Sequence, residues 1–322
     1  MPQFWSGFCT FKAEGMWTDH MICSPQKQAD ILEYYRSRRH IPGFAELLSF
    51  TPCELWPVIR GRTLWLVGDS HMVDLFRALA CAVGSFWDYN FKGAFPMAAE
   101  KVALDAMAEH VAHSTGPECL PLLEGTLVCL MRVNHGEVFM GHALPILERM
   151  TQPSDIAVVN FAAWHGAGAN PYLMEMFQTL ARLVEERRAQ LPHIIWKEMV
   201  PTHWDQQHGL YEAKAGPHVC KPLKVALQSD GTLQDIDGYS QLILEQGHEN
   251  TYAREAFQNS SIIMTAFYNA TVELFDFHRD LDRGRGHECS HYCFSGAPQV
   301  WVYYLYKAIK EAPWFEPLPV NQ

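Results

Sequence analysis

No apolar run in this 322-residue chain reaches the about 18 residues that a helix needs to cross a bilayer, so no transmembrane segment is read from it. Charge is sparse, at 19% of residues, and no Lys/Arg block occurs. Lys and Arg number 25 against 36 Asp and Glu, for a formal net charge of −11. That balance argues against nucleic acid as a partner. Internal repeats and low-complexity tracts are also missing, which argues against solenoids, fibres and long disordered linkers. The opening Met1-Pro2-Gln3-Phe4-Trp5 lacks the charged-then-apolar pattern of a secretory leader.

Hydrophobic residues, in contrast, make up 48% of the chain, enough for a sizeable core in one α/β unit with insertions. Aromatics reach 12%, with ten Trp, which suit either a packed core or a sugar-stacking surface. Nine cysteines are many for a cytosolic protein of this size. Cys9, Cys23, Cys53, Cys119, Cys220, Cys289 and Cys293 lie in polar or loop-like contexts. Cys81 and Cys129 lie in apolar runs and read as free core thiols. An odd count leaves at least one unpaired. The expectation is a disulfide-bonded protein of the secretory pathway, Golgi or extracellular, whose leader was removed or lost by truncation. Two sequons, Asn259-Ser260-Ser261 and Asn269-Ala270-Thr271, agree with that compartment.

Residues 1–60 are punctuated by Cys and Pro and read as a cap, with one amphipathic helix near Pro25–Arg39. Residues 61–322 read as the main domain. Strands are expected at 63–68, Leu127–Val133, Ile156–Asn160, Ile194–Met199 and Val272–Phe277. Helices are expected at His71–Val83, Met97–His113, Tyr172–Gln190, Ala253–Ala270 and Gln299–Ile309, with a long polar insertion over 201–250. Alternating strands and helices predict a three-layer α/β/α sandwich around a parallel sheet.

The candidate chemistry sits in three distant stretches. Leu64-Trp65-Leu66-Val67 runs into Gly68-Asp69-Ser70, which places a hydroxyl where a strand gives way to a helix N-terminus. Unpaired N–H groups and a positive local potential there suit a developing oxyanion. Near the C-terminus, Glu288 precedes His291 by three residues, so a carboxylate can orient and charge-balance one imidazole, which in turn can deprotonate Ser70. Between them, the strand Ile156–Asn160 ends in an amide that can donate to an oxyanion. Asp69 reads as a turn-stabilising carboxylate, with Arg77 either its partner or solvated. His71 follows the serine and faces another way on a helix, so it reads as a pocket residue.

These residues resemble the SGNH (GDSL-like) hydrolase superfamily, and within it the PC-esterase branch that includes the trichome birefringence-like O-acetyltransferases. The resemblance covers most of the chain. It rests on Cys9, Gly15, Trp17 and Cys23; Pro52-Cys53-Glu54; Gly61-Arg62; and Gly68-Asp69-Ser70. It continues through Asn160 to Trp164-His165, Trp196-Lys197-Glu198, Pro201-Thr202-His203, and Glu288 to Cys293. It implies Ser70 as nucleophile, His291 as base, Glu288 as third member, and Ser70, Asn160 and Gly136 (from Val133-Asn134-His135-Gly136) as oxyanion donors. His71, Trp164, His165 and His203 are the candidate substrate-binding residues. The branch carries Asp where this chain has Glu288, whose extra methylene adds roughly 1.5 Å of reach.

The implied activity is serine-dependent acyl transfer on glycans, as an O-acetyltransferase or acetylesterase, with no cofactor and with an acetyl donor if transfer is the reaction. The alternative is a glycan-binding protein of the same fold with a defective triad. A metal reading of His287, Cys289, His291 and Cys293 is disfavoured because structural zinc ligands are usually spaced by two to four intervening residues. His110 and His113 have ligand spacing but no accompanying carboxylate, and read as a helix face. Asp280 and Asp282 stand next in line for the acid role.

Overall fold

The computed structural model describes residues 22–88, 90, 115–165, 170–205, 209–211, 218–236, 241–280 and 287–317. The expected helix at Met97–His113, and residues 1–21 of the expected cap, lie outside the described residues.

Three helices come first: α1 (Pro25–Ser37), α2 (Phe44–Ser49) and α3 (Pro52–Ile59). Local sequence explains their starts. Ser24 caps α1 by accepting from the Lys27 N–H, and Pro25 occupies the first turn, where its missing N–H costs nothing. Glu54 reaches back to the Thr51 N–H at the start of α3. The chain then enters β1 (Thr63–Gly68) and turns into α4 (Ser70–Ala82). There follow β2 (Thr115–Pro121) and β3 (Leu127–Arg132). Next is a helical stretch through Gly136–Val138, a π turn at Phe139–Ala143, and α5 (Leu144–Met150). Besides short helical turns, the chain continues through β4 (Ile156–Asn160), α6 (Pro171–Glu186), β5 (His193–Trp196), β6 (Val225–Leu227), β7 (Leu233–Asp235), α7 (Gly247–Phe257), β8 (Ile263–Met264), β9 (His278–Asp280), β10 (His287–Tyr292) and α8 (Ala297–Lys310).

Six strands form the central sheet in the order β2-β3-β1-β4-β5-β8. All neighbours pair in parallel except β2, which runs antiparallel to β3 at one edge. Counted along the chain, the five parallel strands stand in the order 2-1-3-4-5. The direction of winding reverses between β1 and β4, and ligands of such sheets bind at that crevice, beyond the carboxyl ends of the strands.

Period-two alternation divides the core between the two faces of the sheet. Leu64, Leu66, Val128, Leu130, Ile156, Val158 and Ile195 pack against α1–α4 and α8. Trp65, Val67, Met131, Ala157, Val159, Ile194 and Trp196 pack on the other face against α5, α6 and α7. The architecture is thus an α/β sandwich with helices on both faces of a mostly parallel sheet. Ile31, Tyr35 and Phe44 share one apolar cluster with Leu66 and Trp301, so residues 22–60 extend the main core.

Two elements depart from the expected boundaries. The segment read as one helix, Ala253–Ala270, is instead the end of α7, a turn, the edge strand β8 and a short helix at Tyr268–Thr271. Asn259-Ser260-Ser261 supplies that turn, after which Ile263 and Met264 pair with Ile195 and Trp196. The fifth parallel strand is therefore β8. Within the expected strand Val272–Phe277, Phe275–Phe277 is a single 3-10 turn, and Leu274 and Phe277 still bury their side chains in the core.

Three disulfides join Cys23 to Cys293, Cys119 to Cys129 and Cys220 to Cys289. Cys129 is therefore bonded across β2 and β3, contrary to its reading as a core thiol, because Cys119 stands opposite it in the antiparallel register. Cys81, which is buried, and Cys53, which is exposed, stand outside these three disulfides.

Gly68 is required by close approach at the β1/β4 crevice. A Cβ placed on it would lie 1.9 Å from the Asn160 carbonyl oxygen, a backbone atom that cannot yield without moving β4. Gly68→Ala is expected to cost about 1–3 kcal/mol of stability. Chemical denaturation measures this, and an unchanged midpoint would contradict the close approach.

Candidate active site

Ser70 is the first residue of α4, directly beyond the carboxyl end of β1. Asp69 caps the helix: its Oδ1 accepts from the His71 N–H at 2.9 Å. This matches the turn-stabilising role read from the sequence. The first turn of a helix leaves N–H groups without intrahelical partners, and with the His71 N–H taken by Asp69, the Ser70 N–H is the terminal donor.

The imidazole comes from β10, which lies outside the central sheet and pairs with β9. In a flat strand, residues three apart point to opposite faces. The β9/β10 register breaks between Glu288 and Tyr292, and this irregularity turns the two side chains toward each other. Glu288 Oε1 accepts from the Ser290 N–H at 3.0 Å and from its hydroxyl at 2.6 Å. Oε2 accepts from the His291 N–H at 2.9 Å and from His291 Nδ1. With Nδ1 carrying the proton, Nε2 is free to accept from Ser70, whose Oγ lies 2.6 Å away. The side chains of His291 and Glu288 remain 22% and 20% exposed, so the relay is reachable from solvent.

Burial alone would push the His291 imidazole down. The Glu288 carboxylate and its hydrogen bond outweigh that and hold it above the ordinary histidine range. For Glu288, burial opposes ionisation, but His291 and the Ser290 donors hold its carboxyl well below the usual range. His71, fully enclosed, is pushed down to about 3 by burial and by the neighbouring positive charges of His291 and Lys197. It is neutral and a poor base, and its Nε2–H donates to the Ser290 carbonyl at 3.1 Å.

His71 and Trp164 line the cavity that opens on Ser70 and His291, a space of about 430 Å³. Asn160, Gly136, His165 and His203 do not. Asn160 is fully buried, with its amide donating to the Lys197 carbonyl at 2.6 Å and its Oδ1 accepting from the Ala162 N–H at 3.1 Å. The Gly136 N–H donates to His165 Nε2 at 3.1 Å, and a Cβ on Gly136 would collide with the Met176 sulfur at 1.9 Å. In this arrangement one N–H of the Asn160 amide and the Gly136 N–H are each bonded within the protein. His203 is fully buried; its Nε2 faces the Val272 carbonyl at 2.8 Å and its Nδ1 faces His278 Nε2 at 2.7 Å.

Asp74 and Arg279, neither singled out in the sequence, tie the site together. Asp74, one turn beyond Ser70 on α4, is ion-paired with Arg279 of β9, and the Arg279 Nε–H donates to the Tyr292 carbonyl at 3.1 Å. This pair binds the helix carrying the hydroxyl to the strand pair carrying the imidazole. Lys197 is fully buried beneath the site, its ammonium 5.1 Å from the Phe267 ring centre and 4.8 Å from that of Trp301. Burial pulls it down to about 8, while Asp69 and Asp74 favour its charge. Arg77 lies 3.9 Å from Asp74 rather than beside Asp69.

As for metals, Cys289 and Cys293 are both in disulfides, so the His/Cys run has no thiolate to offer. His135, Glu137 and His165 bring three ligand atoms within 4.8 Å of one another. There the Gly136 N–H already occupies the Nε2 lone pair of His165, which places that ring's proton on Nδ1.

No protein-family model matches the chain, and comparison with curated proteins finds no match.

The geometry predicts that the His291 ring titrates above 6.5, and that Glu288→Gln lowers its pKa by removing the adjacent negative charge. NMR of the imidazole protons across pH reads both. A wild-type value below 6.5, or no change in Glu288→Gln, would contradict the pairing.

Proposed function

We propose that the protein is a serine acyl-transfer enzyme of the SGNH-like kind, acting on ester-linked acyl groups, acetyl foremost, of glycans. The observation that carries the reading is the continuous relay from Glu288 through His291 to Ser70 at a helix N-terminus beyond the sheet's carboxyl edge. The strand order and the placement of Ser70 after β1 support the SGNH-like assignment, together with the motifs already described.

In the proposed reaction, Ser70 Oγ attacks the ester carbonyl carbon while His291 Nε2 takes the hydroxyl proton. Negative charge gathers on the carbonyl oxygen, where the Ser70 N–H and the α4 dipole stabilise it. Glu288 fixes the imidazole tautomer and offsets the imidazolium charge. The carbon–oxygen bond to the alcohol then breaks, and the departing oxygen takes the proton from His291. This leaves an acyl-serine and a neutral imidazole. A second hydroxyl, from water in an esterase or from a sugar in a transferase, gives its proton to His291 and attacks the acyl carbon. Ser70 then leaves with that proton.

The alternative of a glycan-binding protein with a defective triad rested on Glu in place of Asp. That departure lends it little support, since Glu288 bonds both the ring and the backbone N–H of His291. The three disulfides fit an oxidising compartment, in keeping with the secretory pathway. No helix among the described residues is long and apolar enough to cross a membrane.

An organofluorophosphonate probe is expected to label the wild type, and Ser70→Ala and His291→Ala are each expected to abolish acyl-enzyme formation. Glu288→Gln is expected to retain more activity than His291→Ala, because the third member mainly orients the base. Undiminished labelling of Ser70→Ala would remove the proposal. Wild-type turnover by Glu288→Gln would move the acid role to another carboxylate.

A further inference from the structure

The cavity beside Ser70 is walled mostly by apolar and aromatic side chains, among them Met199, Trp204, Leu210 and Tyr268. Its polar side chains are largely committed to the fold. The Thr202 hydroxyl donates to the Gly209 carbonyl at 2.8 Å. The Gln246 amide donates to Asn269 Oδ1 at 2.7 Å, and its oxygen accepts from Arg254. Glu249 is the exception. It sits in the first turn of α7 and lines the same cavity. Among the described residues its carboxyl meets no side-chain donor, only its own backbone N–H. The carboxyl folds back over Gly247, on which a Cβ would lie 3.2 Å from Oε2.

A half-buried carboxyl in an apolar wall, with its own backbone N–H as donor, has acceptor capacity left for donors on a molecule that enters the cavity. We propose that Glu249 is the specificity-determining residue for the alcohol side of the reaction, accepting hydrogen bonds from vicinal hydroxyls of a sugar ring in the cavity. This rests on the acyl-transfer reading and names what that reading leaves open, the group that grips the glycan. A carboxylate offers two acceptor oxygens, which match a vicinal diol. Trp164 and Tyr211 line the same cavity and remain 44% and 57% exposed, leaving aromatic surface for a sugar ring to stack on. An alcohol that leaves in hydrolysis and an alcohol that accepts in transfer occupy the same place, so one residue serves both directions.

Burial pushes the Glu249 carboxyl up to about 7. The ionisable groups around it are Tyr268, and beyond Tyr268 the pair of Glu198 and Arg254, 3.8 Å apart. Below that pH the carboxyl is protonated, one oxygen becomes a donor, and the grip on a diol weakens.

The test compares kcat/KM for an acetylated oligosaccharide with kcat/KM for an acetylated aryl ester. Their ratio cancels the ionisation of His291. Glu249→Ala is expected to lower the ratio about tenfold or more, the worth of hydrogen bonds to a charged acceptor. The isosteric Glu249→Gln is expected to lower it less. In the wild type the ratio should fall as pH drops through 7, and in Glu249→Gln it should be flat across that range. An unchanged ratio in both variants, or a flat wild-type profile, overturns the proposal. So does a wild-type preference for cationic over neutral alcohol groups that Glu249→Gln abolishes. Fluorophosphonate labelling of Ser70 in the same samples separates the two claims. Labelled variants with an unchanged ratio sink the role of Glu249 alone, whereas an unlabelled wild type sinks the acyl-transfer reading.

Discussion

The placement of β10 is the constraint on which the site depends. The central sheet positions Ser70 by itself, but it does not hold the imidazole, because among the described residues β10 is paired in a separate two-stranded sheet with the short β9. Covalent and ionic ties do that work. Cys289 and Cys293, on either side of His291, are bonded to Cys220 and Cys23. These loops close over 69 and 270 positions of sequence. In the chain-entropy picture each such cross-link is worth about 4 kcal/mol or more. The Asp74–Arg279 pair and the His71–Ser290 hydrogen bond then fix the strand pair against α4. The relay is thus assembled by links that are long in sequence and short in space.

Charge around the relay is arranged so that one group is basic and its neighbours are not. His71 lies closest in sequence to the serine and its ring centre is 4.9 Å from that of His291. Burial and nearby positive charge keep it neutral, and its Nε2 proton is committed to a carbonyl. His291 Nδ1 is hydrogen-bonded to the Glu288 carboxylate, and that carboxylate reverses the effect of burial. Lys197 and Asp69 lie beneath, both enclosed, each easing the cost of the other's charge.

Strong local patterns were legible in the chain, and long-range pairings were not. β1 matches the expected 63–68, and β4 matches Ile156–Asn160, because each is a short apolar run with clear ends. The serine turn declared itself as Gly68-Asp69-Ser70 directly after an apolar run, and Gly68 is also a point of close backbone approach in the structure. β8 escaped because two residues of pairing leave no periodicity to read, and the helix before it continued the apolar spacing. The bulge in β10 escaped because alternation of His and Cys mimics a flat strand. Asp74 and Arg279 lie 205 positions apart, and neither carries a local signal of the other. Asn160 and Gly136 were marked by their places in motifs, whereas packing around Lys197 and His165 decides what their amide groups contact.

The central claim is that Ser70 carries the acyl group between donor and acceptor. Brief incubation with an aryl acetate, acid quench and peptide mass mapping tests it most directly. The account predicts one acetyl group on the peptide containing Ser70, lost again when the protein is returned to neutral pH. Turnover of the ester with no acetyl on that peptide, or with the acetyl on another residue, would contradict it.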